Sequence, residues 1–594
     1  MDMGAKTILF AISIFSLILM AGCVEPPPPN GGGQNITTQP GGGQIIVPPD
    51  LSGQTEELKK FENMDEMQKW LKENTKQDRY YYDDVMYESA PGMDILGMAT
   101  SGAASKAAPV AGVDYSATNV QVVGVDEADF VKTDGNYIYI IHNNELIIVD
   151  ATNGGENSEV ISRTEIVDED ASYYSPQAEQ MFIYGERLVI FVDKPDEAIT
   201  FPRYDITPRE TYVENTVAII YDISNREAPE INEVMTISGS YYQSRMIGDK
   251  VYVITREDVN YYSPVREPMI YYDVIEILPP VYYFDHPEDD YVFHTIASID
   301  VDDEEIVDAQ TFLMGYGNTM MMSTENMYIA YQKYDQWYCY WCYEEKRYDR
   351  ERFFEVVVPL LPDNVANKIY EIDGKNVSEQ EKWRQISAKL EDFFEPILTD
   401  EETYMDKKYY EELMEKIEDA LAEYDANKKL DETATIIHKF GVDNGKITYK
   451  AKGAVHGYLL NQFSMDEFEG NLRVATTVDI WTTYKNLEYN NVYVLNEEME
   501  TIGSLERIAP DEEIYSARFM GKKLYLVTFK QIDPFFVIDL SNPEEPEILG
   551  ALKIPGYSDY LHPYDENTII GVGKETEENI WGGSKHRRGE NSPL

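Results

Sequence analysis

One run of residues recurs down the chain, and it limits the fold more than any other feature. It first appears as Leu-Ile-Ile-Val-Asp-Ala, Leu146–Ala151, inside the stretch Asn119–Ala151. There two β-runs, Tyr137–Ile141 and Glu145–Asp150, flank a short polar turn, His142-Asn143-Asn144. Five later segments align with this stretch, beginning at Val217, Ile296, Thr435, Asn491 and Phe535. The shared unit is a β-run, a turn such as Asp539-Leu540-Ser541-Asn542-Pro543, a second β-run, and a Gly or acidic turn. A third run, an Asn/Gly/Asp turn and a fourth run complete it. These are the residues that hairpins and tight connections require. Four short strands in roughly 40–50 residues is the size of one propeller blade. A lone four-stranded sheet leaves an apolar face bare, and stacking blades around an axis covers it. The expected fold is therefore mainly β: a propeller of four-stranded blades, about six to seven, the last incomplete.

Unequal spacing of the repeats marks insertions at turns, which leave the sheets intact. An acidic, Tyr-rich excursion, Glu257–Tyr291, lengthens one unit, and residues 362–432 break the β pattern in another. Within that insert Ser378-Glu379-Gln380-Glu381 reads as a capping box. Trp383, Ile386, Leu390, Phe393, Phe394 and Ile397 follow at helical spacing. A second cap, Thr399 with Glu402, precedes Leu413, Ile417, Leu421 and Tyr424. The spacing predicts a helical hairpin, open to three readings: partner surface, lid or decoration. The 46 tyrosines suit half-buried strands.

The amino-terminal residues carry an address. Lys6 precedes the apolar run Ile8–Met20, too short for a stable span of about 20 residues. Met20-Ala21-Gly22-Cys23 is similar to a lipobox, in which Cys23 becomes the lipid-bearing first residue, although the consensus prefers Leu at Met20. The alternative is an uncleaved anchor helix. Both readings put the body on the extracellular face of the cell membrane. Residues 1–22 read as a lipoprotein-type signal peptide and 23–52 as a Pro/Gly-rich tether, where no core can form. Residues 53–110 hold an amphipathic helix, with Leu58, Phe61, Met67, Trp70 and Leu71 on one stripe, and a flexible link. The propeller is assigned to 111–581 and an off-pattern basic tail to 582–594.

The segments NVQVVGVDEADFVKTDG, GYLLNQFSMDEFEGNLRVATT and YSARFMGKKLYLVTF, with the export signal, resemble a family of secreted archaeal and bacterial proteins. Those proteins have a C-terminal β-propeller distantly related to WD-repeat propellers. The resemblance covers roughly Ala111 to Gly573 and implies a fold and an extracellular address, but no catalytic residues. The family pattern continues past the position of Gly573, whereas this chain turns into the basic, apolar-poor Trp581–Leu594. The expectation is a disrupted end near Trp581, leaving an open sheet edge; the alternative is a naturally variable tail.

Composition narrows the partners. Net charge is −58, so the surface repels nucleic acid, and a membrane is met only through the amino-terminal anchor. Of the three cysteines, Cys339 and Cys342 form a C-x-x-C in an aromatic run, read as a short-loop disulfide in an oxidising compartment. Free thiols, or a redox or metal site with His286 and His294, stay open as alternatives. Asn35 and Asn376 head glycosylation sequons, although Ser378 of the second can serve instead as the helix cap. The clusters Asp126, Glu127, Asp129 and Asp300, Asp302, Asp303, Glu304, Glu305 are oxygen-rich enough for calcium, the one cofactor in view. Neither has calcium-loop spacing, and solvated acidic turns are the simpler reading. His456 and His562 lie in the repeats without a metalloprotease pattern, and neither a nucleophile elbow nor a phosphate loop is present. No catalytic or metal residue is therefore assigned. The expected function is a non-catalytic binding or scaffolding module for an envelope protein or glycan. The alternative is a hydrolase or lyase acting on envelope glycan or peptide. It requires an open axial pocket that gathers carboxylates with His456 or His562, and a plugged or apolar axis counts against it.

Overall fold

The computed structural model describes residues 58–74, 120–333, 350–398, 404–529 and 533–574, with short interruptions inside those ranges. The strands group into successive antiparallel sheets. Blade one is Val131–Thr133, Tyr137–His142, Glu145–Asp150 and Glu159–Glu165. Blade two is Gln177–Tyr184, Arg187–Asp193, Asn215–Asp222 and Glu230–Ser238. Blade three is Ser240–Ile247, Lys250–Asp258, Val292–Asp300 and Glu305–Met314. Blade four is Thr319–Met322, Asn326–Gln332, Ala434–Asp443 and Lys446–His456. Blade five is Met465–Phe468, Asn471–Trp481, Asn486–Leu495 and Thr501–Ile508. Blade six is Glu513–Met520, Lys523–Phe529, Asp533–Asp539 and Glu547–Ile554. Among the described residues blade seven has two strands, Tyr557–Asp565 and Thr568–Lys574.

The recurring run is always the third strand, as in Glu145–Asp150, Asn215–Asp222 and Asp533–Asp539. The sequence repeat is thus offset by half a blade. Each unit supplies strands three and four of one blade and strands one and two of the next. In blades two, three and four the third strand is buried on both faces, so it reads as a nearly unbroken apolar run. Alternation does the sorting. In Asn215–Asp222, Val217, Ile219 and Tyr221 pack with Ile148, Leu188 and Ile190 between blades one and two. Ala218 and Ile220 pack with Val251, Val253, Ala297 and Ile299 between blades two and three. Similar apolar layers join blades three and four through Phe312, Met320 and Phe440, and blades four and five through Tyr328, Ile437 and Val474. Val494, Leu526 and Ile538 do the same between blades five and six. Burying one such aliphatic side chain contributes about 1.5–3 kcal/mol.

The third strand usually ends in a carboxylate that closes its own turn. Asp150 Oδ1 accepts from the Thr152 amide, Asp222 Oδ1 from Ser224 and Asp539 Oδ1 from Ser541. These side-chain and backbone hydrogen bonds hold Asp150, Asp222 and Asp539 below the usual carboxylate range. At the turn after Tyr137–His142, Asn143 and Asn144 both take positive φ, 51° and 58°, as a tight primed hairpin demands.

Blade three carries additions. Val281–Phe284 lies parallel to Glu305–Met314, and Leu58–Lys60 pairs antiparallel with Val281–Phe284. Helix α1, Met64–Asn74, follows that amino-terminal strand. Its Met67 and Leu71 are buried with Phe61, Val281, Tyr283, Tyr291 and Phe293. The Phe61 ring stacks on Tyr283 at 4.0 Å.

Among the described residues, 350–398 and 404–433 with 478–489 form a second compact unit. Its main helices are α2, Asp363–Asp373; α3, Glu379–Leu398; and α4, Tyr404–Lys429. The expected hairpin is α3 and α4, and α2 is an addition to it. Val365, Ile369 and Ile372 give α2 a buried stripe, packed with Ile386, Leu390, Leu413, Ile417 and Leu421. Arg352 grips Asp425 through two hydrogen bonds of 2.6 Å. The Ser378 hydroxyl caps α3 by accepting from the Glu381 amide at 3.3 Å. The Glu381 carboxylate bonds Arg384 and Gln385. The Thr399 and Glu402 cap lies outside the described residues.

Candidate functional site

The first strands of the blades lie along the inner edges of the sheets. Val131–Thr133 touches Gln177–Tyr184, and Glu513–Met520 touches Tyr557–Asp565. The turn Gln462–Ser464, just before blade five, touches both Thr319–Met322 and Glu513–Met520. The stretch leading into blade one crosses this middle ground. Asp129 exchanges two backbone hydrogen bonds with Met181 of blade two. Asp126 and Glu127 add an antiparallel pair to the first strand of blade three, opposite Met246 and Arg245. Val125 is buried with Tyr252, Met320 and Met327 of blades three and four. The side-chain amide of Gln121 donates 2.9 Å bonds to the carbonyls of Gln462 and Met465, at the start of blade five. We call this stretch, Gln121–Asp129, the plug; it lies across the inner strands of blades two to five, with Val125 buried and Val123 exposed.

The Asp126 and Glu127 carboxylates of the plug have partners. Asp126 takes the Lys132 ammonium at 2.8 Å, and the ammonium also donates to the Glu127 carbonyl. The Glu127 carboxylate accepts from the Gln121 amide at 3.2 Å and from Gln462 at 3.5 Å. In blade five, Asp466 takes the Arg473 guanidinium. Burial raises Asp466, and the Arg473 charge and hydrogen bond oppose it. Arg245 donates to the Ser244 carbonyl at 2.8 Å and to Gln462 Oε1 at 2.7 Å. Arg518, 7% exposed, lies over the Phe463 ring at 5.0 Å. Burial pulls its pKa down. The His562 ring is buried beside the Tyr560 hydroxyl at 3.2 Å. Burial, and then the Arg518 charge, lower its pKa.

This architecture decides the family. The chain belongs to the β-propeller domain family. The family model matches residues 115–588. An uncharacterized protein of Archaeoglobus fulgidus is 31% identical over 549 residues, 89% of this chain and 78% of that one. An uncharacterized protein of Methanocaldococcus jannaschii is 29% identical over 472 residues, 78% of this chain. The chain spans 66% of the length of that relative. Among solved structures, a mutant apocarotenoid oxygenase of Synechocystis aligns over 74% of each chain at 7% identity, with a TM-score of 0.27, too distant to carry an argument. In this β-propeller the family resemblance expected from the quoted segments is confirmed.

The structure distributes the residues marked by sequence as follows. Cys23, Asn35, His286, Cys339 and Cys342 lie outside the described residues. Asn376 is exposed, in the turn between α2 and α3. Asp126, Glu127 and Asp129 belong to the plug. Asp300 ties Lys250 at 2.7 Å and accepts from the Asp302 and Asp303 amides, while Glu304 takes Arg187 at 2.7 Å. Among the described residues no group of three or more His, Cys, Asp or Glu side chains converges to hold a metal ion. His456 ends a fourth strand and His562 sits on a first strand, so the two occupy different positions in their blades. His294 is fully buried. Its Nε2 accepts from the Gly317 amide at 3.1 Å, and burial lowers its pKa to about 3.

Arg245, Gln462 and Arg518 escaped the sequence reading, yet a signal was there. Ser-Arg-Met-Ile-Gly-Asp-Lys and Ala-Arg-Phe-Met-Gly-Lys-Lys align, each Arg three residues before the turn glycine. Arg245 pairs across from Tyr252, and Arg518 pairs across from Tyr525. The two arginines thus hold one register position on the first strands of blades three and six.

Proposed function

We propose that this β-propeller is a non-catalytic binding module, held at the outer face of a cell membrane through Cys23 and reaching an envelope protein or glycan on its Pro/Gly tether. The observation that carries it is the axis. Gln121–Asp129 lies across the inner strands of blades two to five, and Asp126, Glu127 and Asp466 each have a side-chain or backbone partner. General acid–base work needs a carboxylate or imidazole within reach of a substrate proton. Here His562 faces Tyr560 and Arg518 rather than a carboxylate. The blades supply a rigid platform, and the apolar run Ile8–Met20 before Cys23 supports the address.

The test is detergent phase partitioning of the full chain expressed in an exporting host, beside Cys23→Ser. Membrane attachment through Cys23 predicts wild type in the detergent phase, with an intact mass showing a lipid on the amino-terminal peptide. Cys23→Ser should move to the aqueous phase or keep an uncleaved leader. Equal partitioning of both proteins, with an unmodified Cys23, contradicts the reading.

A further inference from the structure

We propose that the guanidinium groups of Arg245 and Arg518 form a binding site for a carboxylate-bearing ligand at the Gln462–Phe463 turn, beside the plug. The site deepens the binding-module reading and rests on it only in taking the axis to be non-catalytic.

Arg518 is the first reason. It is 7% exposed, and its Nη1 is buried with no hydrogen-bond partner. Among the described residues no carboxylate forms an ion pair with Arg518. Taking a guanidinium out of water costs several kcal/mol, and only good hydrogen bonds and a counter-charge offset that cost. The chain has 108 Asp and Glu against 50 Lys and Arg, so a carboxylate partner would be easy to supply. The two acids whose fields reach Arg518, Glu127 and Asp466, are turned to Gln121, Gln462 and Arg473 instead.

Arg245 is the second reason. It too is 7% exposed, and its hydrogen bonds go to neutral oxygens of Ser244 and Gln462. The Gln462–Phe463 turn joins the two cations. Gln462 receives Arg245, and the next residue lays its ring against Arg518. Tyr560 packs against Phe463 at 6.3 Å and its hydroxyl lies 3.2 Å from His562 Nδ1, placing a phenol and an imidazole on the blade-seven side. The shared register of Arg245 and Arg518 places two buried positive charges at one level of the inner edge.

The chemistry follows. A guanidinium with its face covered by an aromatic ring offers its planar N–H edge, which matches the two oxygens of a carboxylate. The net charge of −58 opposes the approach of polyanions, so a single carboxylate suits this site better than a phosphate chain. Such a carboxylate can come from a uronic sugar or from a peptide terminus.

The experiment titrates the full chain with sodium acetate, sodium glucuronate and N-acetylglycine by calorimetry and thermal unfolding, each against sodium chloride at equal ionic strength. The expected result is saturable heat and a raised Tm with at least one carboxylate beyond chloride, with Kd raised at least tenfold in Arg518→Met. Tighter binding of glucuronate marks a sugar acid, and tighter binding of N-acetylglycine marks a peptide terminus. Three titrations that match chloride, or a response unchanged in Arg518→Met, overturn the proposal. Should Arg518→Met not fold, Arg518→Lys keeps the charge but loses the fork, and a Kd within threefold of wild type overturns it equally. Lipid attachment at Cys23 is read separately, so either result stands without the other.

Discussion

His294 ties the stability of blade three to pH. The imidazole is fully buried on the third strand, Val292–Asp300. Its Nδ1 faces the Val292 carbonyl at 3.3 Å and its Nε2 accepts the Gly317 amide at 3.1 Å. That pattern fits the neutral ring with its proton on Nδ1. A second proton would break the Gly317 bond and place a charge beside Arg256, whose guanidinium lies between the rings of Tyr242 and Tyr316 at 4.1 and 4.3 Å. Burial, and then the Arg256 charge, lower the folded pKa to about 3, from an ordinary value of 6.5. Below 6.5 the unfolded chain takes up a proton that the folded chain refuses, so stability falls as pH drops from 6.5 toward 3. Each unit costs about 1.4 kcal/mol, so at pH 5 the loss is about 2 kcal/mol. His294→Gln keeps an acceptor for Gly317 and removes the titration. Urea unfolding of both proteins at pH 7 and pH 5 should show wild type losing about 2 kcal/mol more than the variant. Equal losses would refute the reasoning.

Other outcomes follow from the same structure. Asp193 is raised to about 6, chiefly by burial and then by Glu179 and Glu214. Its protonation is favoured on folding, so stabilisation is full below 3.8 and is lost as pH rises through 6; Asp193→Asn should flatten that part of the pH–Tm curve. Ile220→Ala empties part of the layer between blades two and three and should cost about 2–5 kcal/mol in urea unfolding. Gly239 has φ +94°, and a Cβ there would lie 2.7 Å from the Arg256 carbonyl, so Gly239→Ala should lower Tm more than an exposed substitution such as Lys446→Ala. Ser378→Ala should cost about 1 kcal/mol through loss of the α3 cap, and Ser378→Gly only a few tenths.

The propeller was legible because its third strands write a similar apolar run again and again, most fully in blades two to four, where both faces are buried. The half-blade offset was not, because the strongest signal falls in mid-sheet rather than at a blade boundary. The α3 stripe and its Ser378 cap followed from helical spacing, whereas α2 is short and its three buried residues sit in a polar stretch. The plug was hidden for a different reason. Gln121–Asp129 mixes Val and Ala with Gln, Asp and Glu in no regular alternation, and takes its conformation from four blades that are distant in sequence. Its acids read as a solvated turn before a calcium cluster, and in the fold the Asp126 carboxylate takes Lys132 while the Asp129 backbone bonds Met181 of blade two. Arg245 and Arg518 were visible as a shared register position, but only the burial of both shows that they matter.

The most direct measurement is a crystal structure of the full chain grown in sodium acetate. The account predicts Gln121–Asp129 threaded along the inner strands, with acetate oxygens about 2.7–2.9 Å from the Arg518 guanidinium. An open channel in place of that segment, or a carboxylate of the protein itself seated on Arg518, would contradict it.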